Sequence, residues 1–446
     1  MTAPTAAARL KSVPARPKAS SAARFLIAAL AIGVCAAPLH AQRTPATAAN
    51  DSARAAADSL AARLRRAEEA IKLLQQQLAE QASSGVTTRS RMQLEITGRV
   101  LMHAFSNDRR VNNVDDPQFV RPDSAQALPV AGVGFAIRQT TLGIALSSRD
   151  VLGGRFAGDL DVDFFGGQQP SSGGRTFPLV RIRTARGAVR WTHSELMVGQ
   201  EVPLIAGLNP ISPAAIGTPE FAGAGNLWLW LPQIRGTVES DGAVRFGFQG
   251  AVLASTNGDP VGAFDTDVDP AERSQRPATE ARVRMRWGEE ERPSEVGCGG
   301  HLAFLAVPGS IQHAQAVACD AHLVVSQVDV RAEAYQGRGL KGLGGGGIGQ
   351  NVGRQNVPLD DRGGWAQVNV DANSVLRLGA GCGIDAPTES DVPVGGRLRN
   401  QACSGYTIIR PGGPIFLGAE YRRLETKYAT GTVANNHFSL AMGFEF

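Results

Sequence analysis

The chain has 446 residues, 43% of them hydrophobic, and a formal charge of +4. Five cations with no opposing acid, Arg9, Lys11, Arg16, Lys18 and Arg24, lie in the first 24 residues; without them the balance is −1, so the charge implies no nucleic-acid partner. No later stretch of about 20 apolar residues occurs, which excludes a helical membrane span but not a β-barrel, whose lipid face is hidden in alternation.

Residues 1–41 read as a secretory signal: the basic stretch, a short apolar run from Phe25 to Val34, and a small-residue exit at Leu39-His40-Ala41, with cleavage after Ala41. The run is too short to anchor the chain. Val34 before Cys35 does not suit a lipoprotein site. Residues 42–50 form a polar linker. From 51 to 82 there is neither Gly nor Pro, and Leu60, Leu64, Ala67, Ile71, Leu74 and Leu78 keep the four–three spacing of a heptad seam. This predicts a periplasmic coiled-coil helix, with a lone amphipathic helix as the alternative. Residues 83–92 form a second linker.

From Gln93 the period changes to two, and residues 93–446 read as an all-β transmembrane β-barrel of about 16 antiparallel strands. Asp159, Asp161 and Asp163 alternate with Leu160, Val162 and Phe164. Arg282, Arg284 and Arg286 alternate with Val283, Met285 and Trp287. Gln327, Asp329, Arg331 and Glu333 alternate with small apolar residues, as do Gln367, Asn369 and Asp371. In a membrane barrel the charged face lines the water-filled interior and the apolar face meets outer-membrane lipid. Trp191, Trp287 and Trp365 fall at strand ends, where aromatic girdles sit. Short connections such as Ser240-Asp241-Gly242 alternate roughly with long ones at 107–131, 201–230, 256–278, 337–362 and 384–401. The Gly run at 342–347 reads as a flexible outer loop.

Residues 202–231 carry a single charge, Glu220, and are rich in Pro, Gly, Leu and Trp. Irregular backbone cannot face lipid, so this segment is expected to fold into the barrel and narrow it. The alternative is an outer loop packed at a subunit interface.

The search for catalytic and metal motifs finds no P-loop, H-E-x-x-H or G-x-S-x-G, so no cofactor, metal or enzyme activity is expected. The nearest to a hydrolase signal are His193 beside Ser194 and His437 beside Ser439. The arginines are more informative, since only Lys72, Lys341 and Lys427 are lysines after the leader. Guanidinium forks suit carboxylate and phosphate. Arg138, Arg181, Arg183, Arg235, Arg282, Arg284, Arg286 and Arg331, with Asp159, Asp161 and Asp163, are the expected pore-lining set, selecting small anionic solutes unless the acids pair with the arginines and leave a transverse field. Cys298 and Cys319 are centred on Pro308-Gly309, and Cys382 and Cys403 on Val392-Pro393; three pairings exist, and this symmetry picks these two. In the last strand, apolar residues occupy 438, 440, 442, 444 and 446. The terminal Phe446 resembles the signal read by the bacterial barrel-assembly machinery.

Asp163-Phe164-Phe165-Gly166, Val198-Gly199-Gln200 and Leu231-Pro232-Gln233-Ile234-Arg235 resemble segments of the DcaP-like trimeric outer-membrane porins. Gly236 stands where that family usually has an aromatic residue, and no Arg precedes Pro232. The resemblance implies a signal peptide, a periplasmic coiled coil, a 16-stranded barrel, a homotrimer, and passage of small negatively charged solutes such as dicarboxylates across the outer membrane of a diderm bacterium.

Overall fold

The computed structural model describes residues 92–122, 131–166, 178–256 and 268–446, together with residues 63, 65, 66, 68, 69, 72, 86 and 87. The signal segment, the 42–50 linker and the seam residues Leu60, Leu64, Ala67, Ile71, Leu74 and Leu78 lie outside the described residues. Within the expected helix, Arg63, Arg65, Arg66, Glu68, Glu69 and Lys72 are helical and exposed.

Sixteen strands form the barrel. They are β1 (Gln93–Asn107), β2 in two segments (Gly132–Ala136 and Thr141–Val151), β3 (Gly154–Asp163), β4 (Arg181–Arg190), β5 (Ser194–Glu201), β6 (Leu231–Glu239), β7 (Val244–Leu253) and β8 (Ala278–Glu289). The second half is β9 (Arg292–Val307), β10 (Ser310–Val325), β11 (Val328–Arg338), β12 (Asp360–Asp371), β13 (Leu376–Asp385), β14 (Arg399–Ile409), β15 (Ile415–Tyr428) and β16 (Gly431–Glu445). Each pairs antiparallel with the next, and β16 closes on β1 from His437↔Asn107 to Glu445↔Arg99. Closure leaves no sheet edge, which is what a strand protein in lipid requires.

Connections at the end that holds Gln93 and Glu445 are short, such as Leu152–Gly153 and Ser326–Gln327. The opposite end carries the long loops 108–131, 164–180, 202–230, 254–277, 339–359 and 386–398. Two connections there break the expected alternation. Residues 308–309 and 429–430 are two-residue turns, and their strands are long instead, 16 residues each in β9 and β10.

The wall is two-sided. Along β16, Asn435, His437, Ser439 and Ala441 are buried inward, while Phe438, Leu440, Met442 and Phe444 are about half exposed outward. On β8, Glu280 and Arg282 are buried inward and Val283 is 58% exposed. Trp365 corrects the girdle expectation: it is 3% exposed and packs inside the barrel against Phe221. The reason is phase, since Trp365 shares the inward register of Gln367 and Asn369. Cys298–Cys319 and Cys382–Cys403 are disulfide-bonded, with Cα–Cα distances of 4.0 and 4.1 Å. Both sit directly opposite across a hairpin, on the outward face.

The apolar core lies inside the barrel, where loop 202–230 meets the wall. Leu204 packs with Leu253 and Leu305. Ile211 and Ile216 pack with Ile408 and Phe416. Ile205 and Leu227 pack with Tyr335 and Leu343, and Phe221 with Trp365 and Leu424. Each such buried side chain stabilises by about 1.5–3 kcal/mol, so the loop is held as firmly as a domain core. Glycines make room for it. A Cβ on Gly383 of β13 would lie 2.1 Å from Ala224 O, and Gly225, at φ +101°, comes equally close to Gly364 O.

Candidate functional site: the barrel interior

Loop 202–230 crosses the lumen and is tied to inward side chains of many strands. Its backbone has few partners of its own, so wall side chains must satisfy it. Gln367 of β12 donates to Ile211 O at 2.8 Å and accepts from Ile211 N at 2.7 Å. Gln139, in the break of β2, accepts from Ile216 N at 2.6 Å. Glu333 accepts from Leu227 N at 3.1 Å, and Asn400 donates to Gly223 O at 2.7 Å. Ser212 donates to Glu420. Residues 208–227 are buried throughout. The Gly run at 342–347, expected from the sequence as a flexible outer loop, lies in a segment that packs against loop 202–230. Leu343 O accepts from Trp228 N and Leu229 N, and Leu340, Leu343 and Ile348 are buried.

Arg422 of β15 is the hub beneath this loop. It lies 2.8 Å from Glu420, 3.3 Å from Asp116 and 3.7 Å from Glu220. Burial pushes the Asp116 carboxyl up to about 7, opposed by Arg422. Burial, with the Glu420 carboxylate second, raises Glu220 well above the usual range.

The arginines expected to line the pore divide into three groups. On β3 and β4 they are paired: Arg181 lies 2.6 Å from Asp163, Arg183 3.1 Å from Asp161, and Arg186 2.7 Å from Asp159, with Glu201 beside Arg186. The Asp159–Asp161–Asp163 ladder thus stands against an arginine ladder. Trp230 of the loop lies against it, its ring centre 5.1 Å from Arg181 and 5.2 Å from Arg183. On β6 to β10, Arg245, Arg282, Arg284 and Arg286 share three carboxylates, Glu239, Glu295 and Asp320. Arg284 is 2.6 Å from Glu239, Arg286 3.2 Å from Glu295, and Arg245 3.5 Å from Glu239. Arg282 reaches Asp320 at 2.7 Å and Glu295 at 2.8 Å. Four guanidinium groups on three carboxylates leave one positive charge over. Arg235 hydrogen-bonds Gln233 and Val202 O, with the Glu201 carboxylate near enough to offset its charge.

The third group does not line an open path. Arg138 is corrected outright: it is 3% exposed, forked onto Asp115, and stacked 3.7 Å from the Phe165 ring centre. It lies in the break of β2, where alternation fails, and it holds Asn113 and Asp115 of the segment that follows β1. Arg331 is 9% exposed, bound to Asp329 at 2.9 Å and donating to Asn209 O of the loop.

Arg422, Glu420, Gln139, Arg186, Arg245, Glu239 and Glu295 were missed by sequence reasoning. On β15 the run Glu420-Tyr421-Arg422-Arg423-Leu424-Glu425 puts charge on both faces, so phase cannot be read from it. Arg186 follows a register shift in β4 that reverses the alternation counted from Arg181 and Arg183.

Of the two Ser–His candidates, His437 and Ser439 come together. Ser439 Oγ lies 2.9 Å from His437 Nε2, and His437 Nδ1 2.9 Å from Asn107 Oδ1. The spacing matches that of an activated hydroxyl. Ser439, however, is also 3.1 Å from His103 Nε2 and is 2% exposed, so the chain of hydrogen bonds is closed under the loop. His193 instead faces Asp241, exposed.

A closed barrel of sixteen strands with a charged interior and its third long loop folded inside has the porin fold. No protein-family model matches the sequence, and no curated protein matches it either. Among solved structures it is similar to the outer membrane channel DcaP of Acinetobacter baumannii, at TM-score 0.62 and 17% identity, over 81% of this chain and 99% of that one. It is also similar to the anion-selective porin from Comamonas acidovorans (TM-score 0.53, 11% identity, 80% of this chain and 100% of that one). A third is OprB of Pseudomonas putida (TM-score 0.50, 9% identity, 82% and 96%). At these identities the likeness is one of fold. At that level the DcaP-like resemblance of the sequence holds.

Proposed function

We propose that this chain is an outer-membrane porin through which small polar solutes diffuse passively, with a lean to anions such as dicarboxylates. The observation that carries this reading is the loop 202–230, folded into a closed barrel whose inward face is charged. A barrel built only to fill the membrane needs no such interior. The lean to anions is supported by the positive charge left over among Arg245, Arg282, Arg284 and Arg286. The balanced ladders on β3 and β4 argue for a transverse field beside it. A fixed field in a narrow aqueous path acts on solutes more strongly than in bulk water. The reading includes export by a cleaved signal, folding by the barrel-assembly machinery through Phe446, a periplasmic helix over 51–82, and a homotrimer.

Planar-bilayer recording across a salt gradient tests it. Open conductance with a zero-current potential on the anion side is expected. Silence would favour a second reading, a structural barrel plugged by loop 202–230, which the burial of residues 208–227 supports. A hydrolase reading rests only on Ser439, His437 and Asn107, and a lipid-hydrolysis assay separates it.

A further inference from the structure

The porin reading makes no use of the Cys298–Cys319 disulfide, yet its place in the wall limits when it can form. Both cysteines are exposed on the outward face, opposite each other on β9 and β10. Val296 and Gly300 flank Cys298 on that face, and Val317 and Ala321 flank Cys319. Val283 stands opposite Cys298 on β8, and Ala334 opposite Cys319 on β11. All six neighbours are small or apolar.

Cys298 lies six residues from Arg292, and Cys319 six from Val325, where the two strands reach the short-turn end. That is about 20 Å of strand, or about 15 Å of height at a tilt of about 35–45°. The outward apolar band of such a barrel is about 25 Å tall, so the disulfide lies near its middle. Cys382–Cys403 is placed differently: Cys403 stands opposite the exposed Arg423, within reach of water.

Disulfides form and exchange through a thiolate. In hydrocarbon a thiolate is an unpaired charge out of water, and Arg282 on the neighbouring β8 points into the lumen instead. A water-borne oxidant does not reach that depth either. The hairpin by itself, however, brings the two sulfurs together. Residues 308–309 are a two-residue turn, and register counted from it sets 298 opposite 319. A lone hairpin is marginal in water, and a cross-link removes many of its unfolded states.

We propose that Cys298–Cys319 forms on the exported chain before the barrel enters the membrane, by reaction with a soluble periplasmic disulfide carrier. The disulfide then delivers β9 and β10 to the assembly machinery already paired and in register. In the reaction one cysteine thiolate attacks the carrier's disulfide and gives a mixed disulfide. The second cysteine thiolate displaces the carrier. The chain loses two protons and two electrons, and the carrier leaves as a dithiol. The inference rests on the outer-membrane reading above.

The test uses the full-length chain with Cys382→Ala and Cys403→Ala, so that one pair reports. In diderm cells depleted of the barrel-assembly machinery, signal-cleaved chains trapped by acid and alkylated should carry no free thiol. Free thiols there, with the pair oxidised in assembled barrels of undepleted cells, would overturn the inference. In a second measurement the reduced chain is folded into phosphatidylcholine vesicles and exposed to glutathione disulfide. Oxidation should be about tenfold or more slower than for the same chain in urea, and equal rates would overturn the inference. Further replacement of Cys298 and Cys319 by Ala should slow the appearance of the heat-modifiable folded band about threefold. The assembled barrel should melt as before. An unchanged assembly rate would overturn the delivery of a paired hairpin. If the wild type gives no folded band in outer membranes, the outer-membrane reading itself is overturned.

Discussion

Arg422 Nε lies 3.7 Å from Glu220 Oε1, and through that contact a strand of the wall holds the loop folded into the barrel. Arg422 is 3% exposed and Glu220 fully buried. Removing the guanidinium strands three acids, Glu220, Glu420 and Asp116, away from water. Arg422→Ala is expected to cost about 3–5 kcal/mol of local stability. The barrel should survive, because its strand ladders do not depend on Arg422. Limited proteolysis should then cut within 202–230, and bilayer recordings should show larger or noisier openings. An intact loop with unchanged conductance would remove Arg422 as the hub.

The same junction carries a pH dependence. Asp116, lifted to about 7 by burial, keeps its proton in the folded state where the unfolded chain has lost it. Between about pH 4 and 7 the native state therefore binds more protons, and stability of the loop junction falls as pH rises through that window. Glu220 shifts in the same direction. Hydrogen exchange of the 210–225 amides should speed up from pH 5 to pH 8 beyond the intrinsic base-catalysed rate. Asp116→Asn with Glu220→Gln should abolish the excess.

Arg284 sits between Glu239 and Glu295 on the group with surplus positive charge. Arg284→Glu changes that group by two charges and should move the zero-current potential toward cations, most at low salt, where the screening length is about 30 Å. Arg284→Lys keeps the charge and should leave the potential nearly in place, while loosening planar dianions that need the fork. An unmoved potential in a folded Arg284→Glu barrel would place the conducting path elsewhere, beside Arg181 and Trp230.

Ser439 has the partners of a nucleophile but no access for a substrate. Ser439→Ala should lower stability by about 1–3 kcal/mol, since His103 and His437 both lose a buried partner. A fluorophosphonate should fail to label the wild type. Labelling that disappears in Ser439→Ala would restore the hydrolase reading.

The two disulfides close hairpins already held by ladders of hydrogen bonds on both sides. Reduction should cost little, near the bottom of the roughly 0–5 kcal/mol range for disulfides. Melting scans with and without reductant should nearly superimpose.

What the sequence made legible follows from where alternation is clean. In β8 the apolar face of Val283 and Met285 leaves one orientation for Arg282, Arg284 and Arg286, and that orientation is found. The cysteine symmetry about Pro308-Gly309 is likewise a consequence of a two-residue turn, because register is then determined by counting outward from it. The failures fall where counting breaks. Arg138 lies in the gap of β2, Arg186 beyond a register shift, and Trp365 on a strand whose inward face is only partly charged. Which acid each arginine meets was not legible at all. Many of those partners come from other strands, as Asp163 for Arg181 and Asp320 for Arg282, where register decides them, whereas Asp329 for Arg331 and Glu420 for Arg422 lie on the same strand.

Loop 202–230 leaves β5 at Glu201 and enters β6 at Leu231, and these two residues face each other in the ladder. The inward loop of this barrel is therefore leashed at both ends to one point on the rim. If it swings out, it stays at high effective concentration beside its own seat. Reclosure is a first-order event, with a rate set by the leash and the wall and indifferent to dilution. Closed dwell and reopening statistics should then be the same for one molecule in a bilayer as for a crowded membrane.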